Sequence, residues 1–255
     1  MLKNPEQTKK EIILWIRNYF KENGPECTAV IGISGGKDSS VAAALMKEAL
    51  GKERVLGVLM PNGIQKDIED SRSLVRTLDI PYIECNINEA FLGMQHMLEN
   101  NDKLKEITHL DTLSDDTRIN LPPRLRMTTL YAVAQMLPHG GRIVNTCNRS
   151  EDYVGYSTKY GDAAGDFSPL SNLLVHEVLQ LGEILRLPDY LVHKVPSDGL
   201  SNQSDEDKLG FTYQTLDHYI LTGECEDEQT KKRIDHLHTI NLHKLKLMPS
   251  FKLNR

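Results

Sequence analysis

The sequence lacks the features of a membrane protein, a secreted protein or a zinc finger. No apolar run approaches the roughly 18 residues that span a bilayer, and the first residues, MLKNPEQTKKE, are polar and charged. The four cysteines (Cys27, Cys85, Cys147 and Cys225) are far apart and form no CxxC pair, so we interpret them as reduced, mostly buried thiols. We therefore expect a cytoplasmic protein without a membrane partner.

An excess of positive charge is also absent. Thirty Lys and Arg against 36 Asp and Glu give a formal charge of −6, which repels phosphate backbones unless a basic patch is locally concentrated. Nucleic acid is therefore a poor default partner. The 255 residues are 39% hydrophobic and 26% charged, which is typical of a globular chain, and we predict one domain over residues 1–255.

The apolar patterns alternate between strand and helix, which predicts an α/β fold with a doubly wound parallel sheet flanked by helices. An opening amphipathic helix contains residues 12–20 and ends at Gly24-Pro25. Short β-branched runs predict strands at residues 27–33, 55–59, 82–85 and 143–146. The intervening patterns predict helices at 39–50, at about 67–78, after Asn88 and after Pro122, with functional loops at 103–121 and 150–168. The stretch at 197–207 is also polar, and we favour a charged helix start near Ser204 within it.

The most informative motif is the SGGKDSS run at residues 34–40, which lies between the first predicted strand and the next helix. Its glycines allow the backbone to approach an anion closely, and its hydroxyl and N–H groups can donate to phosphate oxygens. It is not a Walker A loop, because Lys37 is followed by Asp38 rather than by Ser or Thr. We interpret it as a phosphate-binding loop, with Asp38 as a magnesium ligand.

This SGGxDS loop resembles that of the N-type ATP pyrophosphatases, which adenylate a carboxylate or carbonyl oxygen and release pyrophosphate. Further blocks are similar to NAD synthases and follow in order over nearly the whole chain: MPNGIQ at 60–65, RLRM at 124–127, NTCNRSE at 145–151, GYSTKYGD at 155–162 with Asp166, PSDGL at 196–200, SDE at 204–206, and His243-Lys244. The chain is thereby identified as a member of the ammonia-dependent NAD synthase family.

The resemblance implies an adenine nucleotide alpha hydrolase-like fold, a homodimer, and conversion of deamido-NAD to NAD with ATP, Mg²⁺ and ammonia. It implies ATP binding by Gly32, Ile33, Ser34, Gly35, Gly36, Lys37, Asp38, Ser39, Ser40, Thr146 and Ser197, and Mg²⁺ binding by Asp38 and Glu151. It implies deamido-NAD binding by Arg124, Lys159, Asp166, His243 and Lys244. By the same resemblance we expect Asp162 beside the incoming ammonia.

The chemistry is consistent with these residue types. Two polyphosphate substrates repel each other, so cations and a metal are needed to bring them together. Adenylation converts the pyridine carboxylate into a mixed anhydride with AMP as the leaving group. Ammonia must attack unprotonated, so a carboxylate such as Asp162 can accept its proton. No protein nucleophile is required, and we interpret Cys147 as a packed thiol.

Four positions depart from the family pattern. Val175 stands where the family usually has a lysine that reaches ATP, and Leu245 stands where the final motif usually has arginine. Lys37 or His176 could replace part of the missing charge. Pro122-Pro123 replaces the usual Gln-Ala, and we expect these prolines in the first turn of a helix.

Other functions stay open at this point. Another adenylating enzyme, such as a tRNA-thiolating one, would share SGGKDSS but not the later blocks. A weakened or non-catalytic nucleotide-binding relative is suggested by Val175 and Leu245. We expect free ammonia as the nitrogen donor, because 255 residues leave no space for a glutamine amidotransferase domain.

Overall fold

Four short parallel strands form the centre of the structure, a computed structural model that describes residues 1–194 and 204–253. The strands are β1 (Thr28–Gly32), β2 (Val55–Leu59), β3 (Tyr82–Glu84) and β4 (Gly141–Ile143). Their order in the sheet is β3-β2-β1-β4, so β1 and β2 lie in the middle. In the register of the sheet, Val30 is paired with Leu56 on one side and with Ile143 on the other.

Helices flank this sheet, and the last of them ends at Leu245. They are α1 (Pro5–Asn23), α2 (Lys37–Leu50), α3 (Ile68–Leu78), α4 (Asn88–Glu99), α5 (Asp102–Thr108), α6 (Asp115–Met136), α7 (Arg149–Val154), α8 (Val175–Ile184), α9 (Asp189–Val192), α10 (Asp205–Leu209), α11 (Tyr213–Thr222) and α12 (Glu228–Leu245). None of the helices in residues 1–194 and 204–253 has the length and apolar character needed to cross a membrane.

The sheet has an apolar layer on each face, which is why its strands carry few polar residues. One layer contains Ile31, Leu45 and Leu181, from β1, α2 and α8. The other contains Val30, Val58 and Ile143, with Leu130 of α6 packed against them. The α/β class and the parallel sheet predicted from the sequence are therefore confirmed.

The predicted elements mostly coincide with the observed ones. Strand β2 has the predicted bounds, and β1 and β3 fall within the predicted strands. Strand β4 begins two residues earlier than predicted and ends at Ile143, after which Val144 forms an isolated bridge with Phe167. Helix α10 begins after the N-cap Ser204, as predicted for that charged segment.

Helix α6 contradicts the prediction of a helix that begins at the prolines. It starts at Asp115, and Pro122 and Pro123 lie in its interior. Ser114 sets the start, because its Oγ accepts the N–H of Thr117 at 3.3 Å and two acids follow in the first turn. The predicted loop at 103–121 is likewise wrong, since α5 and the beginning of α6 occupy most of it. Most of the polar stretch at 197–207 lies outside the described residues.

Candidate active site

A cavity of about 660 Å³ opens at the carboxyl ends of β1, β2 and β4. Its walls include Gly32 at the end of β1, Met60 after β2 and Thr146 after β4, together with side chains of α6 and α10. Ligands of parallel α/β sheets bind at this edge, where the loops that follow the strands converge. The cavity is therefore the candidate active site.

The loop between β1 and α2 lines this cavity with Ser34 and Gly36. Gly35 has a φ of +77°, and a Cβ there would lie 2.8 Å from the Cβ of Asp70, so a glycine is required. Ser39 Oγ lies 3.1 Å from Ser34 Oγ and donates to the carbonyl oxygen of Gly36 at 3.2 Å, which stabilises the turn. The N-cap of α2, Gly36, supplies no side-chain acceptor, so the first turn of α2 can bind an anion.

Two carboxylates and a buried lysine meet beside this loop. Lys37 Nζ lies 2.8 Å from Asp38 Oδ2 and 3.8 Å from Glu151 Oε1, and the lysine side chain is 5% exposed. Burial lowers the pKa of Lys37, but the two carboxylates outweigh it and hold the pKa above its usual value. Burial and the Asp38 carboxylate together raise the pKa of Glu151.

The amino end of α7 fixes the geometry of this pair. Asn148 is the N-cap and forms a capping box with Glu151, in which each side chain accepts a hydrogen bond from the other residue's N–H. Asn148 Nδ2 also donates to Asp38 Oδ1 at 3.0 Å, so both carboxylates accept hydrogen bonds from Asn148, Asp38 from its side chain and Glu151 from its backbone N–H. Local capping and a long-range contact together create the site.

These residues suit a magnesium ion. Carboxylate oxygens are the ligands that Mg²⁺ prefers, and the ammonium group of Lys37 already lies between Asp38 and Glu151 as a cation. In the described part of the chain, no group of three or more His, Cys, Asp or Glu could hold a metal alone. Mg²⁺ commonly binds one or two carboxylates and completes its shell with water and phosphate, so a pair is sufficient.

Asp162 lines another part of the same cavity. Its Oδ1 accepts the N–H of Thr158 at 2.8 Å, and its side chain is accessible through the cavity. Desolvation by the surrounding cavity wall raises the pKa of Asp162, although the hydrogen bond from Thr158 lowers it in part. Lys244 lines the cavity too, and its Nζ donates to the carbonyl oxygens of Gly155 and Ser157 at 2.7 and 2.8 Å.

Most of the predicted nucleotide and metal residues line this single cavity: Gly32, Ile33, Ser34, Gly36, Lys37, Asp38, Ser39, Thr146, Glu151, Asp162 and Lys244. Gly35 and Ser40 support the loop instead, and the buried Ser40 hydroxyl donates to the carbonyl oxygen of Gly36 at 2.8 Å. Ser197 lies outside the described residues. The cavity thus brings together residues that are more than 200 positions apart.

The other predicted dinucleotide-binding residues lie outside the cavity wall. Arg124 Nε donates to the carbonyl oxygen of Lys159 at 3.4 Å, and Lys159 Nζ donates to that of His243 at 2.9 Å, so these three form one outer cluster. Asp166 is elsewhere, and accepts hydrogen bonds from Tyr131 Oη and from the N–H of Ile143. Their predicted roles stay predictions.

The structure contradicts the expectation that His176 replaces part of the missing charge, and it explains the valine at position 175. His176 does not line the cavity: its Nδ1 lies 2.6 Å from Asp217 and its Nε2 lies 2.8 Å from the terminal amine of Met1. Val175 is 6% exposed in an apolar cluster with Leu209 and Leu216, where a hydrophobic side chain fits. Lys37 is the predicted compensating cation that does line the cavity.

Sequence reasoning missed five charged residues of the cavity wall: Asp67, Arg126, Lys194, Asp205 and Lys208. Lys194 donates to Asp67 and Asp70 of the α3 region at 2.6 and 2.7 Å, Arg126 extends from α6, and Asp205 accepts a hydrogen bond from Tyr156 Oη at 2.9 Å. Arg126 and Asp205 belong to the recognised blocks, which was the available signal. Lys194 is the last residue described before position 204, and it belongs to no recognised motif.

The fold and the cavity define an α/β enzyme of the nucleotide-binding class, with a phosphate loop and a carboxylate pair at the carboxyl edge of its sheet. The pattern of the NAD synthase family matches residues 8–255. The chain therefore belongs to the NAD synthase family, whose members are amide-forming ligases that use ATP.

Individual relatives agree with this assignment. The NH3-dependent NAD synthetase of Finegoldia magna is 37% identical over 248 residues, which are 96% of each chain. The structure of an NMN synthetase from Francisella tularensis superimposes with a TM-score of 0.84 and 31% identity, over 98% of this chain and 99% of that one. An NH3-dependent NAD synthetase from Campylobacter jejuni gives a TM-score of 0.75 and 25% identity, over 98% and 100%.

Proposed function

We propose that this protein converts deamido-NAD to NAD with ATP and ammonia, through an adenylated carboxylate, and releases AMP and pyrophosphate. The observation that carries the proposal is the joint presence, in one cavity, of a phosphate loop and of a separate carboxylate with a raised pKa, Asp162. The first suits ATP, and the second suits the deprotonation of an amine.

The first chemical step joins the two substrates. The loop at residues 32–40 binds the triphosphate through its N–H groups, and Thr146 lies beside the nucleotide. Asp38 and Glu151 would hold Mg²⁺, which when bound offsets the charge of the phosphates. A carboxylate oxygen of deamido-NAD attacks the α-phosphorus, the bond to the β-phosphate oxygen breaks, and pyrophosphate leaves.

The second step uses the other part of the cavity. Ammonia attacks the carbonyl carbon of the anhydride, its carbon–nitrogen bond forms, and the bond from that carbon to the AMP oxygen breaks. The nitrogen loses one proton, which Asp162 accepts. A carboxylate with a raised pKa is a better base than an ordinary aspartate at the same position, because its conjugate acid is weaker.

Pyrophosphate release tests this reaction. The complete mixture contains ATP, Mg²⁺, ammonium and deamido-NAD, and each component is omitted in turn. We expect release to require ATP, Mg²⁺ and deamido-NAD, and NAD to form only when ammonium is also present. Release that is indifferent to deamido-NAD, or that bulk tRNA supports instead, would contradict the proposal and favour another adenylating enzyme.

We further propose one domain that uses free ammonia and acts as a homodimer. The relative from Finegoldia magna, which this chain matches over nearly its full length, is named for NH3 dependence. Support for a dimer comes from α4 and α6, in which Pro122 and Ala134 are the only residues of the two helices that are buried in one chain. A partner covering the two helices would bring new contacts near Arg124, which is exposed on α6.

A mononucleotide acid, which is smaller than the dinucleotide deamido-NAD, is a second candidate substrate. The neighbour from Francisella tularensis is named as an NMN synthetase and has a higher TM-score than the NAD synthetase from Campylobacter jejuni. Nicotinic acid mononucleotide is the acid that corresponds to that product. Comparing kcat/KM for this mononucleotide and for deamido-NAD decides between the two, and the acid with the larger value is the substrate.

A further inference from the structure

Arg126 lines the cavity, and most of the donors of its guanidinium group have no partner in the described residues. The residue lies on α6 and is partly buried, and its Nε donates to the carbonyl oxygen of Met60 at 3.1 Å. Neither Nη1 nor Nη2 has a protein acceptor in residues 1–194 and 204–253. A guanidinium carries five N–H donors, so most of its donors remain directed at a ligand or at water.

The surroundings of Arg126 are costly for a cation without a partner. Burial lowers the pKa of Arg126, and the charge that opposes this effect is the carboxylate of Asp162. Both residues line the cavity, and neither is hydrogen-bonded to the other. An anionic ligand group on Nη1 and Nη2 would offset the desolvation of the guanidinium.

The cavity wall near Arg126 includes apolar side chains that pack close to the backbone of Gly32. Met60, Met127 and Leu130 line it, and Gly32 contributes no side chain. A Cβ on Gly32 would lie 3.2 Å from Met60 Cε and 3.6 Å from Leu130 Cδ1. A planar aromatic acid fits such a wall, with its ring against the apolar side chains and its carboxylate on the guanidinium.

We propose that Arg126 binds the reacting carboxylate of the pyridine acid, an inference that rests on the proposed amidation. Nη1 and Nη2 hold one carboxylate oxygen, and the other oxygen attacks the α-phosphorus of ATP. The held oxygen becomes the carbonyl oxygen of the anhydride. When ammonia adds to the carbon, the carbonyl electron pair moves to this oxygen, where Arg126 stabilises the charge until AMP leaves and Asp162 takes the proton.

The position of Asp162 favours a carboxylate over a phosphate as the ligand of Arg126. The base that accepts the proton of ammonia must lie near the carbon under attack, and Asp162 is the carboxylate that acts on Arg126. The phosphates of ATP have their own donors at the start of α2, where the N-cap Gly36 leaves N–H groups available. The group near Arg126 is therefore the acid being amidated.

A comparison of acid and amide binding tests the role of Arg126. Calorimetry measures the affinity of deamido-NAD, which has the carboxylate, and of NAD, which has an amide in its place. We expect the wild-type protein to prefer the acid, and R126M to lose about tenfold or more in affinity for the acid while binding NAD within about twofold of wild type. R126K should keep part of the preference, because it keeps the charge but not the two-donor geometry.

The matched control is R118M, on the same helix. Arg118 is 42% exposed and contacts Glu99 rather than the cavity, so R118M should keep the wild-type preference. Thermal melting of each variant checks the fold. Retention of the acid preference by R126M overturns the inference and leaves the amidation intact. Failure of the wild-type protein to bind either dinucleotide overturns the proposed reaction on deamido-NAD, and with it the inference as stated for that substrate.

Steady-state kinetics give a second readout that a structural role would not produce. We expect R126M to raise KM for the pyridine acid and to lower kcat, while KM for ATP stays near the wild-type value. A general loosening of the site would raise both KM values together. An equal rise for ATP would therefore count against a direct contact between Arg126 and the carboxylate.

Discussion

At the scale of single residues, Lys37 neutralises the carboxylates that we propose as magnesium ligands. Its Nζ lies 2.8 Å from Asp38 and 3.8 Å from Glu151 while the side chain is almost fully buried. Without this cation, two carboxylates would share a poorly solvated site and repel each other. A divalent ion entering with ATP can join the same oxygens and leave Lys37 available to a phosphate.

Asp38→Asn tests the metal site. The amide keeps the shape of the side chain and removes its charge, so we expect the protein to fold while pyrophosphate release falls by about 1,000-fold or more. The measurement is pyrophosphate release at saturating ATP, with thermal melting as the check on folding. The exposed acid Glu53 supplies the control, because E53Q changes charge far from the cavity. A wild-type rate in D38N would remove Asp38 from the metal site.

Asp162→Asn separates the two chemical steps. We expect kcat/KM for ammonium to fall by about 100-fold or more, while adenylation in a single turnover without ammonium stays near the wild-type rate. Rapid-quench detection of pyrophosphate measures the first step, and NAD formation measures the second. If D162N slows both steps equally, Asp162 does not act as the base.

The same residue predicts a pH dependence. The base is competent only when deprotonated, so the wild-type rate should rise as the pH increases through the raised pKa of Asp162. D162N should lack this limb and keep only the rise that comes from the ionisation of ammonium itself. The pH profiles of kcat/KM for both proteins check this, and identical profiles would contradict the assignment.

At the scale of elements, one ion-pair cluster joins the end of α9 to the start of α3. Lys194 Nζ donates to Asp67 and Asp70 at 2.6 and 2.7 Å, and Asp70 lies against Gly35 of the phosphate loop. Partial burial raises the pKa of Asp67, but hydrogen bonds from Lys194 and Gln65 outweigh it and hold the pKa below its usual value. The cluster thus connects three segments at the cavity rim.

Lys194→Met should lower the free energy of unfolding by about 1 kcal/mol at pH 7, allowing for screening by solvent. Because the folded pKa of Asp67 is depressed, its contribution is present above its ordinary value of 3.8 and is lost as the pH falls through the folded value. The difference between K194M and wild type should therefore shrink below about pH 4. Urea denaturation at pH 7 and pH 3 measures both quantities.

Lys52 offers a matched control for this pair. Its Nζ lies at the same 2.6 Å from Asp79, but both side chains are well exposed. K52M should leave stability almost unchanged, since exposed pairs contribute little. An equal loss in K52M and K194M would show that the position of Lys194 has no special importance.

At the scale of the whole molecule, few residues of the long helix α6 are buried in one chain. Only Pro122 and Ala134 are buried among the 22 residues of α6, and α4, which packs against it, has no buried residue in the described chain. Leu92 and Met97 of α4 are 51% and 57% exposed. The exposed apolar side chains of this helix pair are suited to pack against the same helices of a second copy of the chain.

Light scattering after gel filtration tests the proposed dimer. We expect a mass of about twice the 28.9 kDa of one chain. The double variant L92E/M97E should shift the protein toward the monomer, because two charges would be buried at the interface. Leu221 is similarly exposed on α11, so L221E is the control that should remain dimeric. A monomeric wild-type protein at micromolar concentration would contradict the proposal.

Particular elements show how far prediction from the sequence reached. Strand β2 was predicted with its observed bounds because a short apolar run has few alternatives to a buried strand. Helix α6 was misjudged, because the prolines were taken as a start although Ser114 caps the helix eight residues earlier. Arg126 was quoted as part of a motif, but its two open amino groups could not be foreseen from neighbouring residues.

The sequence by itself determined the alternation of strands and helices and the phosphate loop, because these depend on residues close in the chain, and it determined the family through the order of its motif blocks. The tertiary structure decided which of the predicted residues meet. It placed Asp38 beside Glu151 and Arg126 within electrostatic range of Asp162, and it left Arg124, Lys159 and His243 on an outer surface. The reason is that cavity geometry and desolvation arise only when distant segments pack together.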